Sequence, residues 1–499
     1  MGSTARLRFL FVATALAVTI GPVHSEQRPE EEVARLQFEN GRGHLRRGNY
    51  EEALTDFRAV AESHPESALA DDARLEMSRY YLGIGDDPTL ALKEADEILK
   101  RYPTSDSAPY AYLVQGEVLL AQSRRKVDLD RAVASFDRVP GIYPGADAVP
   151  RARYLAAEAV RLSRDPLEAL KRYRQIAAMH PRDVIMSKVH IGTGMALAAI
   201  GDTIAAMEEF QFARSPTDSR EDSDVALARL SVLYRLYVKS PQMSAFTYAS
   251  KEADVPVRAA GVLRVLITPR GAGYFMTKSA VIPFDPVRPD PLPAVLKPRG
   301  LTIDRAGRLV IIDAGTLTRR DAPPVALAIV QGTSNTLLDD VDMAVPLKNG
   351  DWLVAAEDDR GIQRFAPSGK HLGTFALVKA SRLAVNEFDE VAVLERDSKG
   401  ITILDEAGKP AVSIPQRGPG YELRNTVDIS YDALGHLYVL DRTGVLVFSP
   451  IAKGAPLVRA FSEPETSPGA LRRAAAFALD PFGRMYIADD RVERIRVYQ

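Results

Sequence analysis

His371 and His436 are the only imidazoles in the second half of the 499-residue chain, and the chain has no cysteine at all. Histidine and cysteine are the side chains that most readily hold zinc, act as general base or attack as nucleophiles. Without a thiol, disulfides, thiolate metal sites, cysteine nucleophiles and a lipid-bearing cysteine are excluded. The seven histidines show no His-Glu-x-x-His or comparable spacing. His371 opens an outer segment (Gly369-Lys370-His371-Leu372) and His436 follows Gly435, so both read as surface or turn residues. Asp304, Asp428 and Asp480 recur at similar places and could suggest calcium. Asp304 and Asp480, however, open Asp-x-x-Gly turns, in which the carboxylate caps its own backbone; the turn reading is preferred, with one structural ion left open. No catalytic residue, cofactor or metal ligand is expected. Trp352 is the only tryptophan, so an aromatic platform for sugar would depend on tyrosines.

Residues that could grip a partner lie in the first half, where a repeat positions them. Ala53, Phe57, Val60 and Pro65 set a pattern of small, large, β-branched and helix-ending residues. It returns as Ala91/Ala95/Ile98/Pro103, Ala132/Phe136/Val139/Pro144, Ala169/Tyr173/Ile176/Pro181 and Ala206/Phe210/Ala213, at alanine spacings of 38, 41, 37 and 37 residues. A period in this range, carried by small-then-large contacts, marks stacked helical hairpins. Gly41 lets the second helix cross closely, Gly48-Asn49 gives the turn, and Gly116, Gly194 and Gly201 recur at matching places. The pattern resembles the tetratricopeptide repeat, which implies a concave surface for other proteins. The inward positions of the first helices nominate Arg42, Tyr80, Glu117, Tyr154 and Glu158 as partner-binding residues; each could equally be a solvated helix position. One more amphipathic helix, 223–240, is expected to cap the solenoid.

The first 25 residues read as an export signal: Arg6 and Arg8, an apolar run from Phe9 to Ile20, a break at Gly21-Pro22, and small residues Val23 and Ser25 at the cleavage positions. The run is too short to span a bilayer comfortably, so cleavage is preferred to anchoring, and a mature chain without a membrane span is expected. A net charge of −2 argues against a nucleic-acid partner.

Prolines 283, 286, 289, 291, 293 and 298 mark a change of composition, after which the apolar pattern turns strand-like. Hairpins recur at 301–313, 343–357, 383–395, 427–441 and 477–489, turning at Gly307, Gly350, Asp389, Gly435 and Gly483. The turn intervals are 43, 39, 46 and 48 residues, the length of a four-stranded propeller blade. Tyr486-Ile487-Ala488-Asp489 followed by Arg494-Ile495-Arg496-Val497-Tyr498 resembles the NHL repeat, with Val492 in place of the usual Asn; 354–365 is a looser copy. The resemblance implies a ring over about 257–499, read as six blades with a degenerate first one; five blades are the alternative. An early strand is expected to close the ring on the last blade.

The fold class is therefore α + β multidomain: a signal at 1–25, an all-α solenoid at 26–240 of about five repeats plus a capping helix, a linker at 241–260, and an all-β propeller at 261–499. Each half is expected to own its core. NHL-type rings include an amidating lyase, and similar propellers include a streptogramin lyase and metal-dependent lactonases that use channel histidines and a divalent metal. With two histidines in the ring, the preferred reading is a non-catalytic exported scaffold that binds envelope proteins. The helical part resembles repeats of Gram-negative envelope assembly proteins, which implies the periplasm. A propeller lyase or hydrolase, or a module binding glycan or peptidoglycan, is the alternative. Edman sequencing of exported protein is expected to begin at Glu26; retention of Met1 would instead indicate an uncleaved anchor.

Overall fold

A computed structural model describes residues 29–214, 219–239, 244–257, 261–285, 292–295, 297–331, 334–338, 340–356, 360–396, 400–449 and 455–499. The expected export signal lies outside the described residues. The chain forms two compact units, divided between Ala108 and Pro109.

The first unit contains α1 (Pro29–Arg47), α2 (Tyr50–Ser63), α3 (Ala70–Gly83) and α4 (Pro88–Arg101), paired as two hairpins. A Cβ on Gly41 would lie 2.8 Å from the Phe57 ring, so glycine is what allows α1 and α2 to approach. Asp87 caps α4, accepting from the backbone of Thr89 and Leu90 at 3.0 Å, with Pro88 in the first turn. Inside the second hairpin Arg74 pairs with Glu94 at 2.6 Å, both nearly buried.

The second unit opens with α5 (Ala108–Gln122), α6 (Lys126–Ile142), α7 (Val149–Leu162), α8 (Pro166–Met179), α9 (Met186–Ala199), α10 (Thr203–Phe212) and α11 (Arg220–Leu233), the last continuing as a π turn, Tyr234–Val238. Gly116 faces Phe136 and Gly194 faces Phe210 as Gly41 faces Phe57. The repeating small and large residues are all buried. Pro65, Pro103, Pro144 and Pro181 each stand two residues past the end of α2, α4, α6 or α8. The residue before each, at φ between −123° and −132°, has left the helical region, as crowding by the proline ring requires.

Six antiparallel sheets follow as propeller blades. Blade 1 has three strands, Arg264–Ile267, Gly273–Met276 and Val281–Pro283. Blades 2 to 5 have four each, running over 298–326, 341–376, 380–414 and 426–461. Blade 6 comprises Ala474–Leu479, Met485–Asp489 and Arg494–Tyr498, and its fourth strand is the early segment Val255–Pro256, paired Val255 to Ile495. The innermost strands neighbour one another around the ring, blade 6 returning to blade 1. Asp313, Asp441 and Asp489, each ending its blade's second strand, accept backbone N–H groups from the segment entering the same blade: Lys297, Arg424 with Asn425, and Arg472 with Arg473. The aspartate of the NHL-like motif thus ties blade entry to blade centre.

Two expectations need revision. Residues 244–257 are not a free linker: Thr247 and Gln499 exchange backbone hydrogen bonds at 2.9 Å, and Ala249 donates to Val497. Nor does each half own its core. One apolar cluster joins Tyr173, Phe210 and Leu236 of the helices to Tyr438, Phe461 and Tyr498 of blades 5 and 6. Phe246 lies between them, 6.1 Å from Tyr438 and 5.9 Å from Phe461. The end of α11 therefore does more than cap: its π turn inserts Leu236 into this core, and Arg235 donates to the Gly483 carbonyl at 2.9 Å.

Ala132 is fully buried, so Ala132→Leu is expected to destabilise the full chain by about 1–3 kcal/mol through overpacking, read by thermal melting. Cutting between 256 and 257 divides the shared core and removes the closing strand. Separate 26–256 and 257–499 fragments are expected to aggregate, and well-folded circular dichroism spectra from both would overturn the shared-core account.

Candidate partner-binding site

The nominated residues fall into two groups. Arg42 is exposed on α1. Tyr80, half-buried near the end of α3, packs 5.4 Å from Tyr50 and 5.5 Å from Tyr81. A Cβ on Gly85 would come within 2.9 Å of its ring. Burial, then the neighbouring Glu51 carboxylate, pushes the Tyr80 phenol up. These two residues belong to the first unit.

The other three make contacts within the second unit. Glu117 on α5 pairs with Arg151 on α7. The Tyr154 ring lies tilted against Tyr173 with centres 6.3 Å apart, and burial raises its phenol strongly. Glu158 accepts from the Tyr173 hydroxyl and, at 2.9 Å, from Arg161.

Arg161 is the hinge of a seam that sequence reasoning missed. Its guanidinium grips Glu387 in the blade 4 turn with two hydrogen bonds, at 2.9 and 3.0 Å. Arg124 donates to the Glu387 carbonyl at 3.1 Å, and Arg164 pairs with Glu390 while lying 4.5 Å from the Phe388 ring centre. Burial opposes charge on Glu387, but the Arg161 charge and hydrogen bonds outweigh it and hold the carboxyl below its usual value of 4.5. The one available signal was Asp389 in the place of a turn glycine. It adopts φ 58°, and its carboxylate accepts from the Lys348 backbone at 3.0 Å, locking this turn to blade 3. A cavity of about 490 Å³ beside the seam is walled by Arg124, Arg131, Arg364 and Asp389 among others, and one of about 740 Å³ lies between α9–α11 and blade 5.

The two ring histidines stand on blades 3 and 5, and each is occupied. His436 follows its turn glycine as read, but it is buried rather than on the surface. Its Nδ1 lies 2.9 Å from the Asp432 carboxylate and its Nε2 2.8 Å from the Tyr237 hydroxyl. His371, on the outer strand of blade 3, meets the Gln363 side chain at 3.0 Å, and burial lowers its pKa. Asp304 and Asp480 cap their turns, each accepting from the backbone two and four residues on and from an arginine. Asp428 accepts from the Phe477 backbone and so links blades 5 and 6. In the first unit, Asp71, Asp72 and Asp106 bring oxygens within 4.8 Å of one another, a geometry that could hold a cation. Asp71 and Asp72 also stand in the first turn of α3, where the helix dipole favours acids, and Ser107 donates to Asp72 at 2.8 Å. The same Ser-to-acid contact joins Ser67 to Glu31 and Ser187 to Asp222, which marks it as a repeat-packing feature.

The YfiO family, described as "Outer membrane lipoprotein", matches residues 30–142. The chain is 27% identical over 190 residues to the outer membrane protein assembly factor BamD of Caulobacter vibrioides, covering 37% of this chain and 55% of that protein. It is 26% identical over 246 residues to BamD of Pasteurella multocida, covering 45% and 89% respectively. The match thus spans about half the length of the Caulobacter protein. A streptogramin B lyase structure aligns with TM-score 0.36 at 9% identity, over 52% of this chain and 99% of that one. The molecule joins a helical-repeat region similar in sequence to these assembly factors to a six-bladed propeller.

Glu387→Ala is expected to cost about 1.5–3 kcal/mol, the range for hydrogen bonds to a charged group, read by denaturant unfolding. Because the folded-state pKa lies below 4.5, this contribution is full above that pH and is lost as pH falls through the lower folded value. Glu387→Gln is expected to flatten that part of the acid stability profile.

Proposed function

We propose that this chain is an exported, non-catalytic adaptor in cell-envelope assembly, whose helical hairpins bind protein partners while the propeller serves as a rigid platform. The observation that carries this reading is the similarity of the helical region to outer membrane protein assembly factors. A periplasmic location accords with the signal-like N-terminal sequence. Among the described residues no helix is long and apolar enough to cross a membrane. With no cysteine for lipid attachment, association with the membrane would run through partners.

Two observations weigh against the lyase or hydrolase alternative. The ring histidines are held by Asp432, Tyr237 and Gln363, and they stand on different blades.

Complementation of a deletion strain, scored by outer-membrane protein content, tests the reading. Arg42→Glu is expected to impair complementation, because it changes the charge that an exposed position of α1 presents to a partner. His371→Ala is expected to complement fully. Loss with the histidine variant, at normal folding and with Arg42→Glu unimpaired, would favour propeller chemistry instead.

A further inference from the structure

We propose that the Tyr50–Tyr80–Tyr81 face of the first unit receives a basic, arginine-bearing segment of a partner protein; this rests on the adaptor reading and names the partner's chemistry.

The first observation is charge. Residues 29–108 hold 18 Asp and Glu against 10 Lys and Arg, a net charge of −8 in a chain whose whole net charge is only −2. A concentrated field of one sign steers and retains a partner of the other. Several acids are already matched inside the unit: Glu94 by Arg74, Glu32 and Glu39 by Arg35, and Glu97 by Arg101. Glu51 and Glu52, at the start of α2, are exposed.

The second observation is the aromatic cluster beside Glu51, whose charge acts on Tyr80. Tyr50 leads α2, Tyr80 and Tyr81 end α3, and the three rings stand in a chain at centroid separations of 5.4 and 5.5 Å. Tyr80 and Tyr81 pack one side on the buried core of the first two hairpins while remaining half-exposed. Such rings are pre-positioned, so contact with them costs little conformational entropy. Arg58 meets the Tyr81 hydroxyl at 3.5 Å, at the rim of the cluster. Ile84, 57% exposed, adds an apolar contact next to the tyrosines in sequence.

A guanidinium suits this combination. Its plane stacks on a tyrosine face, its fork can be received by a carboxylate, and its aliphatic stem can lie on an apolar neighbour. An acidic or wholly apolar segment would meet the wrong field.

The test uses the full chain and two fluorescein-labelled peptides, a Ser-Arg repeat and a Ser-Glu repeat, in fluorescence anisotropy. The Ser-Arg peptide is expected to bind and the Ser-Glu peptide not, with affinity falling between about 10 and about 150 mM salt. Tyr80→Phe is expected to retain binding, while Tyr50→Ala and Tyr80→Ala weaken it by about 3- to 10-fold. Glu51→Gln is expected to weaken it by about 3-fold and to reduce the salt dependence. Equal binding of both peptides would overturn the proposal, as would unchanged affinity in Tyr50→Ala with a native circular dichroism spectrum. Should Tyr80→Ala misfold, Tyr50→Ala and Glu51→Gln, the latter at an exposed position, decide the matter. Peptide binding is measured in vitro. Its failure leaves the adaptor reading to the complementation result, and a failed complementation with intact peptide binding removes the adaptor role without removing the site.

Discussion

A stack of helical hairpins has an apolar end, and that end must be covered. In this protein the cover is another folded body. The end of α11 and its π turn press Leu236 against blades 5 and 6, with Phe246 packed between Tyr438 and Phe461. Much else follows from that contact. The chain leaving α11 is already beside the last blade, so residues 244–257 can run along it and supply its closing strand. Closure of the ring and burial of the solenoid's end are two results of one path of the chain, which explains why α5–α11 and the propeller form a single compact unit.

The charged seam adds orientation to this apolar contact. Apolar packing is tolerant of small rotations, whereas a guanidinium gripping a carboxylate through two hydrogen bonds is directional. Arg161 makes that bond to Glu387 while Glu158 and the Tyr173 hydroxyl hold it from the helix side. The blade 4 turn is shaped for the purpose. Asp389 accepts a backbone conformation that favours glycine and gains a bond to blade 3 through its carboxylate. Charges that could have served a partner are thereby consumed in fixing the helices to the ring.

The first unit differs in this respect. It has its own core around Phe57 and Val60, its own buried ion pair between Arg74 and Glu94, and a strong excess of acid at its surface. The boundary between the compact units falls between Ala108 and Pro109, rather than between helices and strands. The core around Phe57 is formed within the first unit, whereas in the second unit charges such as Arg161 and Glu387 hold helices to the ring.

The sequence by itself determined the elements. The alanine, aromatic and proline register specified helix pairs because close crossing demands a small residue opposite a large one, and proline ends a helix by local sterics. The turn glycines and alternating strands specified blades for the same reason: these are short-range constraints written in consecutive residues. The turn role of Asp304 and Asp480 was legible on that basis too. Only the tertiary structure decided which side chains are free. Glu158 and Tyr154 share a helix period with many solvated positions, and nothing local distinguishes them from Arg42. Their engagement depends on Tyr173 and on Glu387, which is 229 positions beyond Glu158, and on a blade turn brought there by the shared core. His436 is similar: a residue after a turn glycine reads as surface, until Tyr237 arrives from the end of the helical region to bury it. Contacts between distant segments leave no periodic trace in either, and so the partition of charge into joint and surface could be read only from the fold.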